Sequence, residues 1–431
     1  MTPLRRVSAL LAAGLLGTAC AAGSTNLQAG PARRSDSSAT TLYGFAGPRL
    51  YAVDARTLRP RRDRGARVDG HLFGWSFSPG RTRLAAGTDG SAELRLYDLR
   101  RLRALGDVKL ARKGLVYVST WAGPSRVLAV VISPGCCGLG DTIVAGVDAD
   151  SRRVVWRRDL EGSLQAGAPN GRGFVLVLGP KWAIGPSRLV TVSPAGRLRV
   201  ARLEQIRSGW RRRGHRDIVE QSNPGLALDP SGHRAFVVQA DAPVAVVDLL
   251  RLSVRYHRPA EPISLLGRVR DWLEPAAAAK ATQGSDRQAV WLGNGRLAVT
   301  GMDHVASVDS RGHEQERDQP AGLRVVDRRR WTARRLDRTN SSLAWTGGVL
   351  LAFGTSWDSR ASKSTGSGLT AYDADGRTLY HRYGSRLVGG VEVVPGGVLV
   401  GREVLAPATG RVLRHARLDV ELLYGDQPFW F

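Results

Sequence analysis

The sequence predicts an all-β protein, a seven- or eight-bladed β-propeller with four antiparallel strands in each blade, and eight blades are favoured. Two strand–turn–strand phrases that alternate along residues 42–431 support this prediction, because hairpins repeated at a steady spacing are typical of propellers. The chain is 42% hydrophobic, which supplies enough apolar side chains for a packed core.

The first element of the chain is an export signal. Met1 to Arg6 carries two adjacent arginines, Val7 to Gly17 is uncharged and apolar, and small residues follow up to Cys20. This order is that of a secretory signal peptide, and the apolar run is too short to remain in a bilayer as a spanning anchor. We therefore assign residues 1–19 to a signal peptide.

The segment that ends at Cys20 resembles a bacterial lipobox, in which the cysteine becomes the lipidated N-terminus. Gly17 stands where that motif prefers Leu, so cleavage nearby without lipidation is the alternative. Residues 20–41 are rich in Gly, Ser, Ala and Thr and predict a flexible tether. The expected location is extracytoplasmic, at the cell membrane or envelope through a lipid anchor, with a freely secreted protein as the alternative.

The first repeated phrase is an apolar strand, a turn of Pro, Gly, Asn or Ser, and a second apolar strand. Its clearest copy runs from Leu228 through Asp229-Pro230-Ser231-Gly232 to Val238. Glycine and asparagine accept the positive φ of tight turns, so this phrase predicts a hairpin.

The second phrase is an apolar strand that ends in Asp, followed by a polar turn and another strand. Because an Asp side chain can cap a turn by accepting backbone hydrogen bonds, a structural role explains the recurring residue. Copies end at the following residues: Asp54, Asp98, Asp148, Asp248, Asp327 and Asp373.

The two phrases pair into blades, and the leftover strands lie at the two ends of residues 42–431. A hairpin within 42–61 has no partner phrase, and Glu421 to Tyr424 is a strand without a following hairpin. Joining them would complete a final blade and close the ring, which removes exposed sheet edges. Residues 42–431 are thus expected to form one domain with rim insertions near 204–222 and 264–287. A helix is expected over Val269 to Thr282.

Two segments of the chain resemble known propeller repeats. Val147 to Trp156 is similar to the repeat of pyrroloquinoline-quinone-type (PQQ-like) propellers, in which a Trp docks between blades, whereas Leu228 to Val238 is similar to YVTN and WD40-like repeats. The resemblance implies that Trp156 and Trp331 are blade-docking aromatics, and it defines blades rather than an activity.

Cys136 and Cys137 are adjacent in a Gly-flanked loop. In an oxidising compartment they are expected to form a vicinal disulfide, as a loop staple, a ligand-contact platform or a redox group. Some quinone-dependent dehydrogenases carry such a ring beside their cofactor, and this likeness is the basis for an enzymatic alternative.

The net charge of +25 reflects an excess of arginine. It indicates either compositional bias or attraction to anionic lipid or polymer, while nucleic acid is not expected for an exported protein. No recognisable catalytic motif or metal-ligand spacing is present in the sequence, so we assign no catalytic residue, metal or cofactor.

The sequence therefore favours a monomeric, non-enzymatic propeller that binds or scaffolds an envelope protein, peptide or anionic polymer. The alternative is a quinoprotein-type oxidoreductase or a small-molecule-binding enzyme centred near Cys136 and Cys137.

Overall fold

A computed structural model describes residues 41–46, 48–68, 70–88, 90–133, 140–171, 173–212, 219–260, 281–308, 314–359, 361–415 and 421–423. Every helix or strand within these residues is a β-strand, which confirms the all-β prediction. The predicted signal peptide, Cys20, and the pair Cys136 and Cys137 lie outside the described residues.

Five separate sheets contain four antiparallel strands each. Sheet A consists of β1 (Leu42–Ala46), β2 (Arg49–Val53), β3 (Pro60–Arg67) and β34 (Glu421–Leu423). Sheet B consists of β4 (Leu72–Phe77), β5 (Arg83–Thr88), β6 (Glu93–Asp98) and β7 (Arg103–Lys109). Sheet C consists of β8 (Leu115–Trp121), β9 (Arg126–Ile132), β10 (Thr142–Asp148) and β11 (Arg153–Leu160). Sheet D consists of β17 (Gly225–Leu228), β18 (Arg234–Val238), β19 (Val244–Asp248) and β20 (Ser253–His257). Sheet E consists of β30 (Val391–Val394), β31 (Gly397–Val400), β32 (Glu403–Leu405) and β33 (Val412–His415).

The other fourteen strands form one joined sheet that contains three runs of four antiparallel strands. The first run is β12 (Ser163–Pro169), β13 (Phe174–Gly179), β14 (Ile184–Val192) and β15 (Leu198–Arg212). The second run is β21 (Ala281–Gly293), β22 (Arg296–Val308), β24 (Leu323–Asp327) and β25 (Thr332–Asp337). The third run is β26 (Ser342–Thr346), β27 (Val349–Asp358), β28 (Lys363–Asp373) and β29 (Thr378–Arg382). Two further strands connect the runs: β16 (Val219–Asn223) and β23 (Glu314–Pro320).

The expectation of eight, or alternatively seven, separate blades is therefore not met. Five four-stranded sheets are separate, because in the rest of the chain several strands continue past the four-stranded unit and hydrogen-bond to a neighbour. The strand near the C-terminus, β34, pairs with β1, so the two ends of the described chain share sheet A.

Apolar side chains on both faces of these sheets are buried against neighbouring units. Among the described residues, eight hydrophobic clusters each combine two units: A with B, B with C, C with the first run, the first run with D, D with the second run, the second with the third, the third with E, and E with A. Leu42 and Val53 of sheet A, for example, pack with Val394 and Val404 of sheet E. Each unit thus packs against two others.

The connections between strands lie on two opposite sides of the molecule. With β34 counted as the first strand of sheet A, the turns from first to second strand and from third to fourth strand form one side, which we call the turn face. The remaining connections form the loop face. Ion pairs between neighbouring units join residues on the same side. On the turn face, Arg83 at the start of β5 pairs with Asp150 in the β10–β11 turn at 2.6 Å. On the loop face, Lys181 pairs with Asp141.

Aspartate caps the turn from third to fourth strand, as the sequence predicted. Oδ1 of Asp98 accepts hydrogen bonds from the backbone N–H groups of Arg100 and Arg101, both at 3.0 Å. Hydrogen bonds from the backbone and side chain of Ser151 hold the pKa of Asp148 below its usual value. Equivalent caps are formed by Asp54, Asp248, Asp327 and Asp373.

Some arginines connect neighbouring sheets. Arg199 of the first run donates to the carbonyl oxygen of Leu250 in the β19–β20 turn at 2.7 Å. Arg414 of sheet E donates to the carbonyl oxygen of Ala55 in the β2–β3 turn at 3.2 Å. Part of the arginine excess therefore has a structural use, because these side chains satisfy turn carbonyls at the boundary between two sheets.

Candidate functional site

Strand extensions build a second layer of pairing on the loop face. Residues 184–186 of β14 pair with the end of β15, which continues through β16 to residues 281–287 of β21, then to residues 301–308 of β22, β23, and the adjoining ends of β27 and β28. We call these segments the bridge sheet. Its eight strands span about 30 Å at the usual spacing between neighbours.

The bridge sheet occupies the two places that the sequence marked as insertions. In the first, 204–222, residues up to Arg212 extend β15 and those from Val219 form β16. In the second, 264–287, the described part is strand from Ala281 onward, so the expected helix over Val269 to Thr282 is wrong at its last two residues, and the rest of it lies outside the described residues. Pairing with β22 holds Ala281 and Thr282 in strand conformation, and pairing with β16 does the same for residues 284–286.

A polar cluster crosses the middle of the bridge sheet around His304. Its Nδ1 lies 2.7 Å from Oδ1 of Asp318 on β23, and its Nε2 lies 2.9 Å from Oδ2 of Asp286 on β21. Nδ2 of Asn223 donates to Oδ1 of Asp286 at 2.7 Å, and Nε2 of Gln221 donates to Oδ2 of Asp286 at 3.3 Å. The consecutive strands β21, β22 and β23 and the more distant strand β16 thus meet in one hydrogen-bonded cluster.

The environment of His304 favours the protonated ring. Burial alone would lower its pKa, but hydrogen bonds and charge from Asp286 and Asp318 outweigh burial and raise the pKa of His304 to about 10. At neutral pH the ring is therefore an imidazolium that donates one N–H to each carboxylate. With both ring nitrogens engaged, His304 holds β21, β22 and β23 together and has no free lone pair with which to accept a proton.

A second ion pair lies beside the first. The Arg287 guanidinium, itself buried, donates to Oδ1 of Asp303 at 2.6 Å and to the backbone carbonyl of Met302 at 3.0 Å. Because side chains alternate along a strand, Arg287 points away from the face that carries Asp286. Charge-assisted hydrogen bonds thus connect β21 and β22 on both faces of the bridge sheet.

Sheet C approaches the same cluster. Tyr117 lies at an irregularity in the pairing of β8 with β9. Burial raises the pKa of the Tyr117 hydroxyl, and the charge of Asp286 raises it further. The Asp286 carboxylate on β21 therefore lies within electrostatic range of the Tyr117 hydroxyl on β8.

Part of the bridge-sheet surface is apolar and exposed. The Trp182 side chain, in the turn that leads into β14, is 59% exposed, and that of Trp357, near the end of β27, is 37% exposed. They lie close to opposite edges of the bridge sheet. Exposed Trp is favourable at protein interfaces, where it buries a large area with little loss of conformational freedom.

A cavity of about 750 Å³ lies elsewhere on the loop face, beside sheet C. Its apolar lining includes Ala111, Ile143 and Leu160, and the exposed cations Arg112 and Lys113 lie at its border. The carboxylates around it are paired: Asp141 with Lys181, Asp159 with Arg157 at 2.8 Å, and Glu161 with Arg188 at 3.3 Å. Its chemistry therefore suits a small molecule with an apolar body and an anionic group.

The residues singled out from the sequence lie apart from the His304 cluster. Nε1 of Trp156 donates to the carbonyl oxygen of Pro194, in the β14–β15 turn of the neighbouring run, at 2.9 Å. The Trp331 ring stacks on His257 of sheet D, with 3.9 Å between centroids. Cys136 and Cys137 lie outside the described residues, and Ser133, the last described residue before them, lines the cavity.

The sequence did not predict the cluster around His304, because the histidines show no metal-ligand spacing. The signal was the run of polar residues, including Asp286 and His304, inside the long apolar hairpin β21–β22. In the part of the chain that the structure describes, no group of three or more His, Cys, Asp or Glu side chains is arranged to hold a metal ion. None of the described segments forms a helix able to cross a membrane.

Comparison with protein-family models gives no match, and comparison with curated protein sequences gives none either. Solved structures do match. The structure of dihydro-heme d1 dehydrogenase NirN is similar over 93% of this chain and 76% of its own, with 13% identity and a TM-score of 0.52. The fold is a β-propeller.

Two other structures match less well. BamB from Moraxella catarrhalis has a TM-score of 0.42 and 13% identity over 85% of this chain and 88% of its own. Hydrazine synthase from Kuenenia stuttgartiensis has a TM-score of 0.33 and 16% identity over 47% of this chain. The match spans 62% of the hydrazine synthase chain.

Proposed function

We propose that this chain is an exported, monomeric, eight-bladed propeller, lipid-anchored at Cys20, that binds an envelope protein or peptide through its loop face. The bridge sheet is the observation that carries the binding proposal. Ion pairs at His304 and Arg287 hold its strands together, and Trp182 and Trp357 are exposed on it. Its width of about 30 Å is comparable to the diameter of a standard protein interface. Residues 1–19 are the signal peptide and 20–41 the tether in this proposal.

Eight blades are inferred from packing rather than from separate sheets. Five sheets and three runs of four strands give eight units, and the eight hydrophobic clusters connect them in one cycle. The pairing of β34 with β1 supports closure of that cycle. The coupling of Tyr117 to Asp286 supports a shared centre, because their units are not neighbours in the cycle. Trp156 and Trp331 act as docking aromatics between blades.

The polar cluster supports a binding role over a catalytic one. A general base needs a lone pair directed at its substrate, whereas both nitrogens of His304 face carboxylates. The cluster instead makes the bridge sheet rigid, which lowers the entropic cost of binding a partner.

The test is site-specific photo-crosslinking of the full-length protein in membranes of its native host. A photoreactive residue replaces Trp182 or Trp357 on the loop face, or Thr409 on the turn face as the control. We expect one discrete partner to be crosslinked from both loop-face positions and not from Thr409. Crosslinking of the same products from all three positions would refute loop-face binding.

A second candidate is a small-molecule-binding enzyme, including an oxidoreductase of the quinoprotein type, and the cavity beside sheet C favours it. Mass spectrometry of molecules released on denaturing the natively purified protein tests this function. Retention of one anionic compound by the wild type, and its loss from an Arg112→Gln/Lys113→Gln variant, would support it. Equal recovery from both proteins would count against it.

A further inference from the structure

Arginine is concentrated on one face of the molecule. Every one of the eight turns from third to fourth strand contains at least one arginine, and together they hold twelve: Arg56, Arg59, Arg100, Arg101, Arg152, Arg197, Arg251, Arg328, Arg329, Arg330, Arg377 and Arg411. Four second strands add an arginine at their first residue on the same face: Arg83, Arg126, Arg234 and Arg296.

Carboxylates on the turn face do not balance these cations. The eight turns contain three aspartates, and five of the strands that lead into them end in Asp. These strand-ending carboxylates accept backbone N–H groups of the turn, as at Asp98 and Asp248, but keep their charge, so eight aspartates stand against sixteen arginines in these turns and strand ends. The outward charge of the turn face is therefore positive.

Most of the turn arginines have no structural use that would explain them. Arg152 donates to the carbonyl oxygen of Leu105, and Arg328 lies 5.8 Å from the centroid of the Trp291 ring. The other ten are exposed, and among the described residues none of the ten forms an ion pair. Ten exposed guanidinium groups on one side of a rigid ring of turns form a surface for a polyanion.

The entry point of the chain lies on the same face. Leu42, the first residue of β1, is opposite Val53 in the register, directly beside the turn that Asp54 caps. Thr41, which precedes it, therefore leaves sheet A from the turn face. A flexible tether over residues 20–41 would have a root-mean-square reach of about 25 Å. An anchor at Cys20 would thus hold the turn face, rather than the loop face, toward the membrane.

We propose that the turn face lies against an anionic phospholipid surface, with its exposed arginines contacting lipid phosphates. This inference rests on the proposed envelope location but not on lipidation itself. Arginine suits this contact because its planar guanidinium forms paired hydrogen bonds with phosphate oxygens. The loop face, with the bridge sheet and the cavity, then points away from the membrane toward partners.

The attraction acts over a short distance, since charges are screened beyond about 8 Å at physiological ionic strength. Binding through the turn face is consequently steeply dependent on salt. It also depends on several arginines in different turns rather than on one residue, because each cation near an anionic surface contributes separately.

Vesicle co-sedimentation tests the proposal with the full-length chain carrying Cys20→Ala, which cannot be lipidated. Vesicles contain phosphatidylglycerol with phosphatidylcholine, or phosphatidylcholine alone as the baseline for any anchor-independent insertion. The turn-face variant carries Arg100→Gln, Arg101→Gln, Arg251→Gln and Arg329→Gln. The control removes four exposed loop-face cations through the following substitutions: Arg49→Gln, Lys109→Gln, Lys363→Gln and Arg402→Gln.

We expect the turn-face variant to lose at least about 30-fold in affinity for the anionic vesicles, and the control less than about threefold. An increase from 0.1 M to about 0.5 M salt should abolish the wild-type preference for anionic vesicles. Equal losses in the two variants would overturn the proposal, since total charge would then account for binding. Binding to soluble poly(glycerol phosphate) without binding to vesicles would also overturn it and assign the face to a polymer.

The outcomes of this experiment are separate from those for the proposed function. Lipidation is read from the mass of the N-terminal peptide of the wild-type protein, and partner binding from the loop-face crosslinks. A wild-type protein without an acylated Cys20 would refute the anchor while leaving vesicle binding by the turn face intact.

Discussion

Removing the positive charge at His304 gives the most direct test of the bridge sheet. In His304→Gln, the carboxylates of Asp286 and Asp318 remain close together without their cation. Loss of one partner from a fully buried ionic cluster costs about 3–5 kcal/mol, because the remaining charges stay desolvated. The side chains here are part-buried, so we expect a cost of at most about 3 kcal/mol. We therefore expect the variant to unfold at lower denaturant concentration than the wild type at pH 7.

The wild type should also lose stability as pH rises. The folded-state pKa of His304 is about 10, above the ordinary value of 6.5, so protonation favours the folded state. The stabilisation is complete below about pH 6.5 and is lost as pH rises through 10. Between pH 7 and pH 9 this linkage removes on the order of 2–3 kcal/mol, because stability falls by somewhat more than 1 kcal/mol for each pH unit between the two pKa values.

The assay is urea unfolding followed by tryptophan fluorescence at pH 6.5, 7, 8 and 9, on the wild type and His304→Gln. The wild-type free energy of unfolding should fall over this range while that of the variant stays nearly level, so the two curves converge at high pH. Parallel curves would refute the protonated cluster, because the pH dependence would then come from other groups.

Three further predictions concern the repeat and the bridge sheet. Asp98→Ala should lower the free energy of unfolding by about 1 kcal/mol, because two turn N–H groups lose their acceptor, while Asp98→Asn, which keeps an acceptor oxygen, should be nearly neutral in thermal unfolding. Trp156→Phe should cost about 1 kcal/mol through loss of the hydrogen bond to Pro194, and Trp156→Ala should cost clearly more in denaturant titrations; equal costs would show that the hydrogen bond is the whole contribution. Gly209→Ala should cost more than about 2 kcal/mol, because Gly209 has φ +124 and an added Cβ would lie 2.1 Å from the carbonyl oxygen of Ala183; a melting temperature equal to that of the wild type would contradict this packing.

The repeat was predictable from the sequence because it is local. An Asp at the end of an apolar strand and a glycine turn each specify a hairpin within about ten residues, and the caps at Asp98 and Asp148 follow that rule. Hydrophobic strands also specified the all-β core. These features depend on neighbours along the chain, which a single sequence shows directly.

The bridge sheet was not predictable, because its pairing is not local. Nothing near Gln221 in sequence indicates that β16 pairs in parallel with β21. The Ala-rich stretch before Thr282 has high helix propensity, yet Ala281 and Thr282 are held as strand by pairing with β22. The number of separate sheets differed from the expectation for the same reason, since strands extended past their units and joined three of them into one sheet.

Sheet A joins strands from the beginning and the end of the described chain, which affects how the protein folds during synthesis. Strands β1 to β3 are synthesised early, but the edge of β1 gains its partner only when β34, near the C-terminus, is in place. Pairing over almost the whole chain slows folding, and an unpaired strand edge invites association with other chains. A truncation that removes only residues 421–431 would leave this edge uncovered in a protein that is otherwise nearly full length. Such a truncation should therefore cause aggregation, even though it removes only eleven residues.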